Sequence, residues 1–179
     1  VILSSGVGEN EHSAWYIGSG GEVVGKTACG VFSNQKVGNY TAGWRFASAN
    51  ELAPGAWHQV VCVYNTSSVS LYIDGSFVAS EPSPYPLVHA NIMEIGKRTS
   101  TFYLNGTVQT FAYFNGSIAN VQVYSSALGP AGISELYKEG MSAQPFSNVS
   151  IYVPLNQGLH AGGSVKYYYH GRAMLASVV

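Results

Sequence analysis

An all-β sandwich of two sheets, carrying one short helix near residues 130–139, is the fold class that this sequence predicts. Three observations carry the prediction. Residues 57–80, WHQVVCVYNTSSVSLYIDGSFVAS, are rich in β-branched and aromatic side chains and break only at short polar turns, the pattern of consecutive paired strands. The apolar segments elsewhere are brief and punctuated by glycine, which suits a sandwich and not a helical fold. Helical spacing is convincing once, between the Gly129-Pro130 pair and Gly140.

Each element follows from its residues. Residues 1–5 read as a short strand and 6–11 as a polar turn, and the apolar segments 15–18 and 23–24 are separated by Gly18, Ser19, Gly20 and Gly21. Residues 29–32 and 43–47 are strands, with Trp44 and Phe46 alternating with Arg45, and 50–56 is a polar bend. The strand 60–64 is apolar on both faces, Val61 and Val63 on one and Val60, Cys62 and Tyr64 on the other, as expected between two layers. Residues 65–68 turn the chain into a second strand with Val69, Leu71 and Ile73 on one side. Asp74-Gly75 then supplies the positive-φ pair of a type I′ turn, and 76–80 folds back as a third strand. Residues 81–86, EPSPYP, read as an extended surface loop because proline cannot donate to a sheet ladder. A strand resumes at 92–96, the stretch 99–111 is a long loop or a hairpin, and 116–124 is the last core strand, with Ile118, Val121 and Val123 as its apolar set. In the helix, Pro130 takes the first position and Gly140 gives a left-handed stop. Its stripe of Ile133, Leu136 and Tyr137 is expected to cap one end of the sandwich.

Five segments also stand in a telling order: WHQVVCVYN, LYIDG, MEIGKR at 93–98, FNGSIANVQVYSSAL at 114–128, and a helix ending in ELYKEG. Together they resemble the laminin-G-like family of concanavalin A-like jelly rolls, over residues 1–140. The resemblance implies a two-sheet jelly-roll sandwich, and it is similar in kind to modules of prokaryotic, particularly archaeal, surface proteins. It implies no single activity, because this architecture hosts lectins, glycosidases, adhesion modules and structural subunits alike. Residues 141–179 form a linker and a strand-forming tail, in which YVPLN and HGRAMLAS resemble the opening strands of a second copy. Three readings of the tail follow: a tandem or multidomain context, a strand added to its own or a neighbouring subunit's sandwich, or a loose extension. Self-assembly, or contact with neighbouring domains, is accordingly expected through residues 149–179.

Composition narrows the function. Charged residues are 9% of the 179, aromatics are 13%, and the net charge is −1, which excludes a basic nucleic-acid-binding stripe and the composition of a disordered chain. No apolar run is long enough to cross a bilayer and no signal peptide is visible, so an exported protein would have lost its targeting segment or carry it outside this sequence. Five Asn-X-Ser/Thr sequons, at Asn39, Asn65, Asn105, Asn115 and Asn148, predict N-glycosylation and an extracellular or cell-surface location. Cys29 and Cys62 form one disulfide in an oxidising compartment or, with equal weight, are small buried hydrophobes.

Catalytic chemistry is sought and not found. Two-carboxylate glycoside hydrolysis needs a close acid pair on one strand face, yet Glu9 and Glu11 lie in a turn, Glu135 and Glu139 on the helix, and Glu94 alone. Asp74 is the single Asp and is accounted for by its turn, so calcium lacks ligands, and the five histidines have no metal-binding spacing. Neither metal nor cofactor is expected. Sugar contact would use exposed aromatic faces, with Tyr85, Phe102 and Tyr103 as candidates and Trp15, Tyr16 or Trp44 beside them, although core packing is preferred for Trp44 and Trp57; His58 reads as structural. The expected function is a non-catalytic extracellular domain with a structural or adhesive purpose, for instance as a subunit of a filament or surface layer assembled by strand addition. A carbohydrate-binding lectin module is the alternative, and a glycoside hydrolase a distant third.

Overall fold

The computed structural model describes residues 2–6, 15–19, 23, 25–86, 92–98, 102–104, 107–109, 112–140, 143–153, 165–168 and 176–178. Its first sheet takes strands from both halves of the chain: β1 (Leu3–Gly6), β2 (Trp15–Ser19), β3 (Lys26–Val37) and β4 (Tyr40–Asn50) early, then β8 (Ile92–Ile95) and β15 (Val165–Tyr168). The second holds β5 (Val60–Tyr64), β6 (Ser68–Ile73), β7 (Ser76–Pro82), β13 (Val121–Tyr124), β14 (Val149–Val153) and β16 (Ala176–Val178). The strand orders are β15-β8-β1-β2-β3-β4 and β14-β13-β16-β5-β6-β7. Two small ladders complete the set, β9 (Lys97–Arg98) with β12 (Ala112–Tyr113), and β10 (Phe102–Leu104) with β11 (Thr107–Gln109). The latter, an antiparallel pairing of Phe102–Leu104 with Thr107–Gln109, agrees with the hairpin alternative for those residues.

Period-two alternation decides what each strand buries. Leu3, Ile17, Cys29, Val31, Met93 and Ile95 of the first sheet turn inward to meet Val60, Cys62, Val69, Leu71, Val121 and Val123 of the second. Cys29 on β3 and Cys62 on β5 are joined across this core with their Cα atoms 5.5 Å apart, so the covalent link runs from sheet to sheet. The other face of β5, Val61 and Val63, packs with Tyr72 and Tyr124 against Ile133 and Leu136 of helix α1 (Pro130–Glu139). β5 is thus buried along its whole length, as its two apolar faces require.

Several expectations are corrected. The helix lies on a face of the second sheet rather than capping an end of the sandwich, because the residues it meets are the outward set of that sheet. Its Tyr137 is 44% exposed and reaches the Asp74-Gly75 turn, where a Cβ added to Gly75 would come within 3.0 Å of the tyrosine Cβ. Gly140 stops the helix at φ 66° and ψ −146°, a glycine-only region and not the left-handed helical one. β3 and β4 are much longer than 29–32 and 43–47. Their hairpin continues past the core, where Gln35, Lys36 and Val37 are exposed, so the polar run there carries no apolar alternation to read. β7 runs through Glu81 to Pro82, because an edge strand leaves a backbone nitrogen free of pairing duty. The last core strand starts at Val121, since Asn120 takes φ 49°, although Ile118 still enters the core. Val24 lies outside the described residues.

The tail supplies three strands to these sheets. β14 pairs with β13 at an edge, β15 pairs with β8 at the edge of the other sheet, and β16 lies between β13 and β5. No helix among the described residues is long and apolar enough to cross a membrane.

Candidate functional site

The outward face of the first sheet carries the most distinctive arrangement of side chains. With Leu3, Ile17, Cys29 and Ile95 turned inward, the residues between them point away from the core. Register aligns them in one row across five strands: Glu94, Ser4, Tyr16, Gly30 and Phe46. Trp44 follows Phe46 on the same side of β4, and Phe32 lies opposite Trp44 on β3.

Glycine makes room for the rings. A Cβ at Gly30 would lie 2.3 Å from the Phe46 Cε1 and 3.2 Å from the Trp44 Cε3, so these rings rest directly on the backbone of β3. A Cβ at Gly18 would lie 2.1 Å from the Tyr16 hydroxyl, so that ring runs along its own strand. Trp44 and Phe46 stack at 5.2 Å with planes 12° apart, Phe32 meets Trp44 at 5.5 Å, and Tyr16 meets Phe46 edge-on at 6.3 Å. Such offset and edge-on geometries add to the apolar burial of each ring. The outcome is an aromatic shelf: Tyr16 is buried beneath it while Trp44 and Phe46 keep partial exposure.

One end of the row is polar. Glu94 is only 1% exposed, and its Oε1 lies 3.8 Å from the Lys97 Nζ. Ser4, fully buried beside it, donates from Oγ to the Lys97 carbonyl at 3.2 Å. Glu94 is the sole carboxylate among the strands of the first sheet, and Glu81 the sole one among those of the second. Hydrolysis by a carboxylate pair requires two acids facing one cleft at about 5–9.5 Å, and the strands place their two acids on different sheets. Among the described residues no cluster of His, Cys, Asp or Glu could hold a metal ion.

The sugar-contact candidates fare unequally. Tyr85 is half-buried, and its carbonyl accepts the Tyr64 hydroxyl at 2.6 Å, which ties the proline loop to β5. Burial holds the Tyr64 phenol above its usual value. Phe102 and Tyr103 lie on β10, with side chains outside the described set. Trp44 packs, partly buried, against the small cluster of Tyr16 and Ala28 on the outer face and not in the core between the sheets, and Trp57, expected in the core, is 49% exposed. The alternation of Trp44 and Phe46 with Arg45 revealed a strand but not which way its faces point. Gly18 and Gly30, opposite or beside aromatic residues, were the overlooked signal.

The asparagines of the sequons differ in what they hold. Asn39 and Asn115 are exposed. Asn65 is also exposed, and its Oδ1 accepts from the Ser67 and Ser68 amides at 3.1 and 2.9 Å, leaving the turn no need of Nδ2. Asn148 is half-buried and donates from Nδ2 to the Ser126 Oγ at 2.7 Å. Asn105 lies outside the described residues. His58 is structural, as expected: its Nδ1 lies 2.8 Å from the Asp74 Oδ2, bracing the hairpin turn.

A family model described as the concanavalin A-like lectin/glucanases superfamily, of laminin-G type, matches residues 4–134. No curated protein and no solved structure matches the chain significantly.

Proposed function

Because the chain belongs to the concanavalin A-like lectin/glucanases superfamily, we propose that it is a non-catalytic domain of an exported or cell-surface glycoprotein, with an adhesive or structural purpose. One observation carries this reading: each six-stranded sheet has a single carboxylate, so the acid pair on which a hydrolase of this architecture would depend has no place among the described strands. Export is supported by the link between Cys29 and Cys62, since such bonds persist in oxidising compartments. It is supported too by the exposed sequon residues Asn39, Asn65 and Asn115. Residues 149–179 are the proposed route to neighbouring copies or domains. The test is incubation with a panel of polysaccharides. No reducing ends are expected, and release that disappears in Glu94→Gln would overturn the proposal.

A second reading, a carbohydrate-binding module, is favoured by the shelf, because flat aromatic faces beside buried polar groups suit the apolar face and hydroxyls of a sugar ring. On a glycan array, Trp44→Ala is expected to lower binding about tenfold, equivalent to roughly 1.4 kcal/mol. An array with no ligand for the unmodified protein would remove this reading and leave the adhesive one standing.

A further inference from the structure

The second sheet owes an interior strand to the far end of the chain. β16 pairs with β5 at Ser177↔Val61 and Val178↔Val60, and with β13 at Gln122↔Ser177 and Val123↔Ala176. Its neighbours are committed strands: β5 also pairs with β6 from Val60 to Tyr64, β13 also pairs with β14 from Val121 to Tyr124, and both are buried at every residue. Were the slot empty, β5 and β13 would each present a row of unpaired backbone N–H and C=O groups, an open sheet edge of the kind that an added strand relieves. The slot must therefore be filled, while the strand that fills it is three residues long and meets each neighbour at only two register positions.

We propose that the slot between β5 and β13 is a strand-acceptor site whose second occupant is the Ala176–Val178 segment of another copy of this chain, so that molecules join by exchanging this strand. An identical segment reproduces the same register and the same pairs, so exchange loses none of the strand's contacts and is opposed mainly by the entropy of association. The partner is a second copy for that reason. Closing the slot within one chain also joins positions more than a hundred residues apart, with Ser177 opposite Val61, which makes it among the most distant pairings in the fold. The proposal concerns assembly alone and stands whether or not the shelf binds sugar.

The experiment is refolding of the full chain, disulfide intact, at low and high concentration, with masses read by size exclusion and light scattering. Refolding is then repeated with excess biotinylated peptide HGRAMLASVV, the sequence of residues 170–179. Monomers are expected at low concentration, dimers and larger forms at high concentration, and loss of those forms with peptide retained on the monomer when peptide is in excess. The variant Ser177→Pro, whose own strand lacks a backbone N–H in the slot, is expected to retain more peptide. Should that variant fail to fold, the unmodified chain still decides the matter. A single mass independent of concentration with no peptide retained overturns the proposal, as do oligomers that excess peptide leaves intact.

Discussion

Gly30 shows how one missing methyl group shapes a surface. The residue has no positive φ to justify glycine, so space alone explains it: the added Cβ would stand 2.3 Å from the Phe46 ring. Alanine there must push Phe46 off the strand and unstack it from Trp44. Gly30→Ala is expected to cost about 1–3 kcal/mol in urea unfolding, the usual penalty for overpacking. It should weaken any ligand of the shelf as well, and a variant of unchanged stability would show that the rings are not seated on the strand. Tyr124 makes a different point. Fully buried, it donates to the Gln122 Oε1 and accepts the Phe146 N–H at 3.4 Å, while Gln122 Nε2 donates to the Asn120 Oδ1 at 2.9 Å and the Ala143 carbonyl at 3.1 Å. Burial, and secondarily Tyr152, raise its phenol above the ordinary value of 10.0, against the lowering effect of the Phe146 N–H. The unfolded chain therefore ionises first. Tyr124's contribution is complete below about pH 10 and disappears as pH rises through the folded-state value. Unfolding midpoints measured from about pH 8 to 11 should fall in that upper range, and the fall should be shallower in Tyr124→Phe. It should not vanish, because Tyr64 is shifted the same way.

Among the elements, the β6–β7 hairpin was the most readable and also holds the least expected device. Asp74-Gly75 announced the turn, and the structure gives them φ 51° and 74°. What the dipeptide did not announce is that the carboxylate reaches back along the sequence. Asp74 accepts the Gln59 amide on Oδ1 at 2.9 Å and pairs with His58 on Oδ2, while its own N–H donates to the Gln59 carbonyl at 3.0 Å. One residue thus fixes both the turn and the entry to β5. Asp74→Asn, which tolerates the positive φ and keeps an acceptor, is expected to cost about 1 kcal/mol, and Asp74→Ala, which loses both, about 3 kcal/mol. Urea midpoints for the two variants decide it: a cost below about 0.5 kcal/mol for alanine would mean the clamp holds nothing. Long hairpins and helix placement were less readable for a common reason. Sequence period reports which residues share a face, but Gln35 to Val37 extend a strand beyond any core, and Ile133 with Leu136 do not say which apolar surface they will meet.

For the molecule as a whole, the core was legible because β5 is apolar on both sides and its two neighbouring layers had to come from somewhere. The ordering of the sheets was not, since HGRAMLAS suggests a strand in the tail but a three-residue strand does not say which neighbours it will pair with, and β16 enters an interior position. Nor could spacing decide between one bond and two buried thiols at Cys29 and Cys62. Geometry does so by turning both inward from facing sheets, with Cα atoms 5.5 Å apart. The bond closes a loop with a sequence separation of 33 residues, for which the chain-entropy estimate is roughly 3–4 kcal/mol of stabilisation at 25 °C. Its consequence reaches beyond the loop, because the link is made between layers and adds a covalent tie to the apolar packing of the two sheets. The double variant Cys29→Ala, Cys62→Ala is expected to lose roughly 3–4 kcal/mol in urea unfolding, and the unmodified protein should lose a like amount on reduction. Both measurements are needed, since alanine also removes two buried sulfur atoms, whereas reduction leaves them in place. A fall seen in the variant but absent on reduction would assign the stability to packing. It would also withdraw the covalent support for an oxidising home.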